Sequence, residues 1–317
     1  MSSSESLAAR RIPPDVLHDI ATYAGDGRVE QEAAYEAAYF ALLDALTRLL
    51  RSLREPECMR FLGPVVPGAT MAFGARVPGT SYVLDPVQAA FNVGMLIDAA
   101  DPIEPAFSGE GACFADTLGA VLPVADFLSR QAVTDGRPVA TVQGLLRVSI
   151  KAREIQRCLG RASDLDRAGC VLAASAAVSA AMFGGSRGHV EAALAIALQR
   201  ARPGSPAIDS RERWGAGEAV SHGVRLALLA LAGPPTEHDV APGPGRQAAG
   251  FLAEGPSCDV PLEQLRATGA SVLQGLETAV AGHFPPAQAT RLQALLADHA
   301  RVMVTPVHEF MSLLVRN

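Results

Sequence analysis

The chain has almost no lysine. Of the 27 basic residues among its 317, Lys151 is the only lysine and the others are arginines. A Schiff-base mechanism is therefore excluded at every position but one. The 33 acidic residues give a formal net charge of -6, and the absence of a basic excess argues against nucleic acid as the main partner.

Cysteine is also scarce. The five cysteines are odd in number, scattered and without C-x-x-C spacing: Cys58, Cys113, Cys158, Cys170 and Cys258. This pattern argues against a disulfide framework and against a zinc site. We expect the protein to need neither a metal nor a cofactor.

Long apolar runs are missing as well. The first fifteen residues contain no apolar core, so the sequence predicts no secretory signal. The most apolar windows, 170–185 and 226–233, are dominated by alanine, serine and glycine and are shorter than the roughly 20 residues of a membrane span. We therefore expect no membrane partner and a cytoplasmic location.

What the sequence does contain is helical periodicity. Hydrophobic residues make up 49% of the chain and charged residues 19%, enough for a sizeable core. Between residues 30 and 54 apolar side chains recur every three or four positions, the spacing of one helix face. Similar patterns predict helices at 142–159, 169–183, 189–199 and 215–232.

Two further helices are predicted from their first residues. Asp85 is expected to be an N-cap, with Pro86 at the first helical position and Gln88 completing a capping box. Asp116 is expected to cap a helix that runs through Leu128 and is kinked at a proline.

The remaining segments predict loops and a late group of helices. Residues 61–82 are rich in glycine and proline and are interpreted as an ordered loop, and no segment alternates as a strand does. Five prolines and several glycines mark 233–261 as a linker. Helices are predicted after it, at 262–282, at 286–304 and from Thr305 onward. The predicted fold class is all-α, a compact bundle of alanine-rich helices.

Long phrases on both sides of that linker share their order with a known family. Before it stand LLDAL, FLGPVVPG, LDPVQAAFN, IKAREIQ and ERWGAGEAVSHGVRLALLAL, and after it stand HFPPAQATRLQALL and TPVHEFMSLLV. In this order they resemble the MmgE/PrpD family, which includes 2-methylcitrate dehydratases and cis-aconitate decarboxylases. The resemblance implies a helical domain, and it implies homodimers that pair through this domain.

The family also carries an α+β lid domain between these two groups of phrases, and here the linker stands in its place. The resemblance thus predicts a lidless variant. Its parts would be an N-terminal extension at 1–27, the main helical part at 28–232, the linker at 233–261 and completing C-terminal helices at 262–317.

The resemblance also implies catalytic positions. The family's leading aspartate falls at Asp101, the acidic residue three places later at Glu104, and a histidine at or near Cys113; Glu110 fits a further acidic position. Asp101 and Glu104 would form a carboxylate pair, the alternative being a solvated acidic loop. Cys113 would act as a proton donor or as a nucleophile with a lowered pKa, the alternative being a small buried hydrophobe.

Substrate binding is expected further along the chain. Arg200 fits a family arginine, and Arg200, Arg211 and Arg213 are candidates to bind a carboxylate, the alternative being surface ion pairs. Trp214, the only tryptophan, is expected to pack or to wall the pocket. We interpret His308 as structural.

The family chemistry removes a group beta to a carboxylate, without a metal. A base takes a proton, an acid protonates the leaving hydroxyl, and cations hold the carboxylates. The family's histidines are replaced here, so the first hypothesis is a divergent lyase, isomerase or cyclase that uses carboxylates on a small or medium-sized biosynthetic intermediate in an open pocket. The alternatives are a non-catalytic binding or partner protein and a 2-methylcitrate-type dehydratase.

Overall fold

The computed structural model describes residues 12–102, 112–201, 214–234 and 262–316. Helices dominate these residues, as the all-α prediction requires. In chain order they are α1 (Pro14–Asp26), α2 (Glu32–Ser52), α3 (Pro56–Met59), α4 (Pro86–Asp98), α5 (Phe114–Thr134), α6 (Val142–Ala162), α7 (Arg167–Met182), α8 (Arg187–Arg200), α9 (Gly215–Ala232), α10 (Leu262–His283), α11 (Pro286–Leu296), α12 (His299–Val304) and α13 (Val307–Leu313).

A short hairpin lies inside the segment interpreted as a loop. Strands β1 (Ala75–Arg76) and β2 (Val83–Leu84) pair antiparallel, with Ala75 opposite Leu84. Two residues per strand are too few to show alternation, which is why the sequence did not predict them.

Helix starts follow local chemistry. The Asp85 side chain accepts hydrogen bonds from the backbone N–H groups of Val87 and Gln88 at 3.0 and 3.1 Å, and Pro86 opens α4, so the predicted N-cap is confirmed. The prediction at Asp116 was wrong. The N-cap of α5 is Cys113, and Asp116 is the third helical residue, whose carboxylate accepts from the Cys113 N–H at 3.3 Å.

The centre of the bundle is formed by α4, α5, α7 and α9. Glycines let α4 approach its two neighbours closely: a Cβ on Gly94 would lie 2.6 Å from a Val220 methyl, and one on Gly119 would lie 2.6 Å from the Gly94 Cα. A Cβ on Gly217 would lie 2.6 Å from the Phe91 carbonyl oxygen. Any side chain at these positions would push the helices apart.

The outer helices pack onto this centre. The side chain of the sole lysine, Lys151, binds the C-terminal end of α1, donating to the carbonyls of Ala24 and Gly25 at 3.0 and 2.9 Å. The predicted extension at 1–27 therefore contains a helix held by the core. The predicted linker lies between Ala232, the end of α9, and Leu262, the start of α10, and residues 235–261 are outside the described part of the chain.

A buried ion pair fastens the C-terminal helix. The guanidinium of Arg76 binds the carboxylate of Asp126, which has no exposed area, at 2.5 and 3.0 Å. The same guanidinium donates to the His308 carbonyl and the Ser312 hydroxyl, both at 2.6 Å. The apolar residues of α13, with Phe310 fully buried, therefore belong to the core.

Two features are absent from the residues that the structure describes. No helix there has the length and apolar character needed to cross a bilayer. Nor do three or more histidine, cysteine, aspartate or glutamate side chains come together there in a group that would hold a metal ion.

Candidate active site

Four helix ends meet around a cavity of about 90 Å³. The first turns of α5, α7 and α9 and the last turn of α4 form its wall, together with one side chain from α2. The lining residues are Arg48, Gly94, Ile97, Asp98, Ala115, Asp116, Arg167, Ala168, Val171, Gly215, Ala216 and Ala219. By the same measure a water needs roughly 10–15 Å³, so the cavity accommodates several waters or part of a small organic acid.

The helix termini make this end of the bundle attractive to anions. Three helices begin beside it, at Phe114, Arg167 and Gly215, and residues of their first turns line it. Each N-terminus carries a partial positive charge and unpaired N–H donors. Small residues in these first turns, such as Ala115 and Ala216, leave the space in front of the donors open.

A buried carboxylate holds the first of two cavity arginines. The Nε of Arg167 donates to Asp116 at 3.0 Å, and a second nitrogen of the same guanidinium bonds to the other carboxylate oxygen. The Asp116 side chain is 3% exposed, whereas the Arg167 side chain is 62% exposed. Hydrogen bonding to Asp116 raises the pKa of Arg167, so the guanidinium stays charged and is fixed at the cavity mouth.

The second arginine comes from α2. Arg48 is buried, and its Nε donates to the Ala100 carbonyl at 2.7 Å. Another of its nitrogens lies 3.9 Å from Asp44. Arg48 therefore holds the turn after α4 in place and brings a second positive charge to the cavity wall.

Asp98, the last residue of α4, lines the cavity between these cations. Partial burial raises the pKa of Asp98, nearby Asp116 adds to the rise, and Arg167 and Arg48 oppose it. A carboxyl group whose pKa is raised toward the working pH suits proton transfer. The cavity lining thus contains two cations and two carboxylates. Asp116 is buried and bound to Arg167, whereas Asp98 is exposed to solvent.

The structure brings only part of the predicted catalytic set to this end of the bundle. Asp101 is exposed and follows the turn held by Arg48, but it does not line the cavity. Cys113 is buried at the start of α5, and burial raises its pKa to about 11. The lowered pKa expected for a nucleophile is therefore not found. Glu104 and Glu110 lie outside the described residues.

The predicted binding residues lie elsewhere or outside the described chain. Arg200 is exposed at the end of α8, and Trp214 packs against Phe61 with ring centroids 4.9 Å apart. Arg211 and Arg213 fall outside the described residues. Trp214 directly precedes Gly215, so it lies beside the cavity without lining it.

Sequence reasoning missed Arg48, Asp98 and Arg167 and treated Asp116 only as a cap. One signal was available. Asp166 is the N-cap of α7 and accepts from the Gly169 N–H at 2.8 Å, a pattern that places Arg167 at the first helical position. Arg167 and Asp116 lie far apart in the sequence, so no local pattern predicts that they form an ion pair.

Comparison with known proteins identifies a family that matches the chain. A family model described as the MmgE/PrpD N-terminal domain matches residues 18–254. The chain is 39% identical to 2-methylcitrate dehydratase of Escherichia coli K12 over 225 residues, which are 68% of this chain and 47% of the relative. It is 38% identical to 2-methylcitrate dehydratase of Cupriavidus necator over 243 residues, 74% of this chain and 50% of the relative.

A fungal relative is more distant. The 2-methylcitrate dehydratase-like protein oryR of Aspergillus oryzae is 35% identical over 234 residues, 69% of this chain and 47% of the relative. The chain thus matches about half the length of the curated relatives.

Proposed function

The chain belongs to the MmgE/PrpD family, and from that premise we propose that it is a lyase that eliminates a group beta to a carboxylate of a small organic acid. The observation that carries the proposal is the cavity where Arg48 and Arg167 flank Asp98 at three converging helix N-termini. The names of its relatives, 2-methylcitrate dehydratases, favour the same reaction class.

Binding would rest on the two guanidinium groups. A substrate carboxylate at the cavity mouth meets the fixed, charged Arg167, and a second one deeper in meets Arg48 and the helix N-termini. Charge-assisted hydrogen bonds of this kind are about twice as strong as neutral ones. They are also stronger away from bulk water, which favours substrates with two or more carboxylates.

Proton transfer would fall to Asp98. Its carboxylate takes the proton alpha to the substrate carboxylate, and the electron pair released from the C–H bond forms the C=C bond. The C–O bond at the beta carbon breaks as the C=C bond forms, and its electron pair leaves with the hydroxide, which takes a proton from an acid and departs as water. The family resemblance makes Asp101 our candidate for that acid. It is exposed three residues after Asp98, and it would reach the leaving group from outside the cavity lining.

We also propose that the site is more open than in relatives with a lid. The family-like segments at 283–296 and 305–315 follow the predicted linker at 233–261, and α11 and α13 formed by them join the same bundle as α9. An open site accepts bulkier acids, which supports a role on a biosynthetic intermediate. A homodimer remains our proposal from the resemblance, and light scattering of the full chain tests it.

One observation favours a second candidate. Among the lining residues that the structure describes there is no histidine, the residue best suited to proton transfer near neutral pH. A family member that binds an organic acid without converting it would show the same arrangement.

The deciding experiment follows alkene formation by ultraviolet absorbance. The full chain is incubated with 2-methylcitrate, citrate and malate, and binding of each acid is measured separately by calorimetry. Asp98→Asn should lower turnover by about 10²–10⁴-fold and keep binding. Its control is Asp135→Asn, an exposed residue at the opposite end of α5, which should behave like wild type. Binding of an acid with no turnover would favour the second candidate, and no binding at all would reject both.

A further inference from the structure

A second concave surface lies on the other side of the α4–α9 pair. It is a groove of about 520 Å³ lined by Arg60, Phe61, Leu62, Pro64, Val65, Val87, Gln88, Phe91, Glu218, Ser221, His222 and Arg225. None of these residues lines the cavity described above. The volume lies within the roughly 300–1,000 Å³ of small-molecule sites, so the groove is large enough to hold a ligand of its own.

One wall of the groove is firmly attached to α4. The Gly63 N–H donates to the Asn92 side chain at 2.7 Å, and the Asn92 amide donates back to the Gly63 carbonyl at 3.0 Å. Gln88 donates to the same carbonyl at 2.7 Å. Asn92 has no exposed area, so these bonds form in a buried place and the loop after α3 is held in position.

The same loop is attached to α9. The Phe61 ring packs on Trp214, which directly precedes that helix. With contacts to both helices, the groove has the preformed shape that small-molecule sites usually have.

Part of the groove lining is apolar and open to solvent; its residues Phe61, Val65, Val87 and Phe91 are together called the apolar floor. Phe61 is 41% exposed and Val65 is 80% exposed, and Val87 and Phe91 extend the apolar surface onto α4. Covering this surface with an apolar group would be favourable by about 25 cal/mol per Å².

The charged residues of the lining, Arg60, Arg225 and Glu218, are called the rim and together carry a net positive charge. Arg60 and Arg225 are exposed, and the described residues include no ion-pair partner for either. Glu218 supplies one negative charge. Burial lowers the pKa of His222, Glu218 opposes this, and Arg200 and Arg225 lower it further. The lowered pKa favours the neutral imidazole, so the positive charge that an anion would meet comes from the arginines.

We propose that this groove binds an amphipathic monocarboxylate, with an alkyl tail of medium length on the apolar floor and the carboxylate at the arginine rim. An amine of the same length is disfavoured by the rim charge. An alcohol of the same length gains only the apolar contact, so the acid is the class that complements both parts of the groove.

Octanoate is the probe, with octylamine and octanol as comparators, and calorimetry on the full chain is the measurement. We expect octanoate to bind about tenfold more tightly than either comparator, the gain expected of a charge-assisted hydrogen bond. Arg225→Gln and Arg60→Gln should remove that preference. Arg291→Gln, an exposed arginine of α11, should retain it.

A matched pair of variants tests the role of the apolar floor. Val65→Asp should abolish octanoate binding because it places a charge on the floor, whereas Val66→Asp, at the adjacent exposed residue outside the lining, should not. Octanoate should also raise the pKa of His222 in an NMR titration, because a nearby anion favours the imidazolium. The two valine variants alter exposed positions, so both should fold.

Three results would overturn this proposal. They are equal binding of the amine or the alcohol, unchanged binding in both arginine variants, and loss of octanoate binding in Arg167→Gln, which would place the acid in the cavity. Absent octanoate binding together with a dimer that Val65→Asp dissociates would show instead that a second copy covers the groove. None of these results depends on whether the cavity is catalytic.

Discussion

Asp98 differs from the other acidic residue at the cavity because it is exposed to solvent, whereas Asp116 is buried and bound to Arg167. Its raised pKa has two consequences. The group becomes a base only at a higher pH than an ordinary aspartate, and its ionisation costs the folded state more than the unfolded chain. Stability contributed by Asp98 is therefore lost as pH rises through its folded pKa.

Replacing Asp98 by asparagine should separate activity from stability. We expect a loss of about 10²–10⁴-fold in kcat, the usual contribution of one positioned acid or base, while the melting temperature at neutral pH stays the same or rises. In wild type the rising limb of kcat/KM against pH should lie above the ordinary range of an aspartate. A limb in that ordinary range, or an active Asp98→Asn enzyme, would assign the proton transfer to another group.

Arg76 and Asp126, unlike Asp98, are charged residues with a structural role. Both are buried, and their side chains are joined by two hydrogen bonds; the backbone N–H of Arg76 donates a third to Asp126 at 2.9 Å. Removing one partner of such a pair leaves a charge unpaired in the interior, which typically costs about 3–5 kcal/mol.

Arg76→Ala should therefore lower the free energy of unfolding by that amount in urea denaturation. Arg137→Ala serves as the control, because Arg137 forms an exposed pair with Asp135 at 2.8 Å, and exposed pairs contribute at most about 1 kcal/mol. Equal effects of the two substitutions would contradict the structural role of the buried pair.

At the scale of elements, the close approach of α4 and α9 is what separates the cavity from the groove. Gly217 stands at this crossing, with the Phe91 carbonyl 2.6 Å from where its Cβ would be. Gly215 and Ala216 face the cavity from one end of the contact, and Arg225 faces the groove from the other. A wider crossing would alter both sites together.

Gly217→Ala should lower the free energy of unfolding by about 1–3 kcal/mol because it overpacks this crossing. Gly160→Ala is the matched control: Gly160 is an exposed glycine of α6 with open space around its Cβ position. There the better helix propensity of alanine should stabilise by up to about 1 kcal/mol. Denaturation midpoints of the two variants on the same side of wild type would contradict this description.

At the scale of the whole molecule, helices on both sides of the predicted linker share one core. α10 packs on α2, α13 packs on α5, and Val142 of α6 bonds to the Thr305 carbonyl at 2.9 Å. The two groups of helices should therefore unfold together, although residues 235–261 separate them in sequence.

Trp214 lies before the linker and Phe310 after it, so the two residues can be used to test whether the two groups of helices unfold together. Phe310 is fully buried in α13, and Phe310→Ala should cost about 3–5 kcal/mol. Fluorescence of Trp214, the only tryptophan, and helical circular dichroism should show one coincident transition. Both transitions should shift equally in the variant. A tryptophan transition that stays in place would mean that the C-terminal helices unfold independently.

The sequence by itself determined most of the helices, the cap at Asp85 and the family, because periodicity, capping and long phrases are properties of neighbouring residues. It did not predict α1 or α3, and it predicted one helix at 286–304 where the structure has two, α11 and α12. It also placed Asp101 next to the turn that borders the cavity. Only the tertiary structure decided that Arg48, Asp98, Asp116 and Arg167 share one site. Four different helices supply them, and their meeting depends on helix crossings set by glycine contacts, which no local pattern encodes.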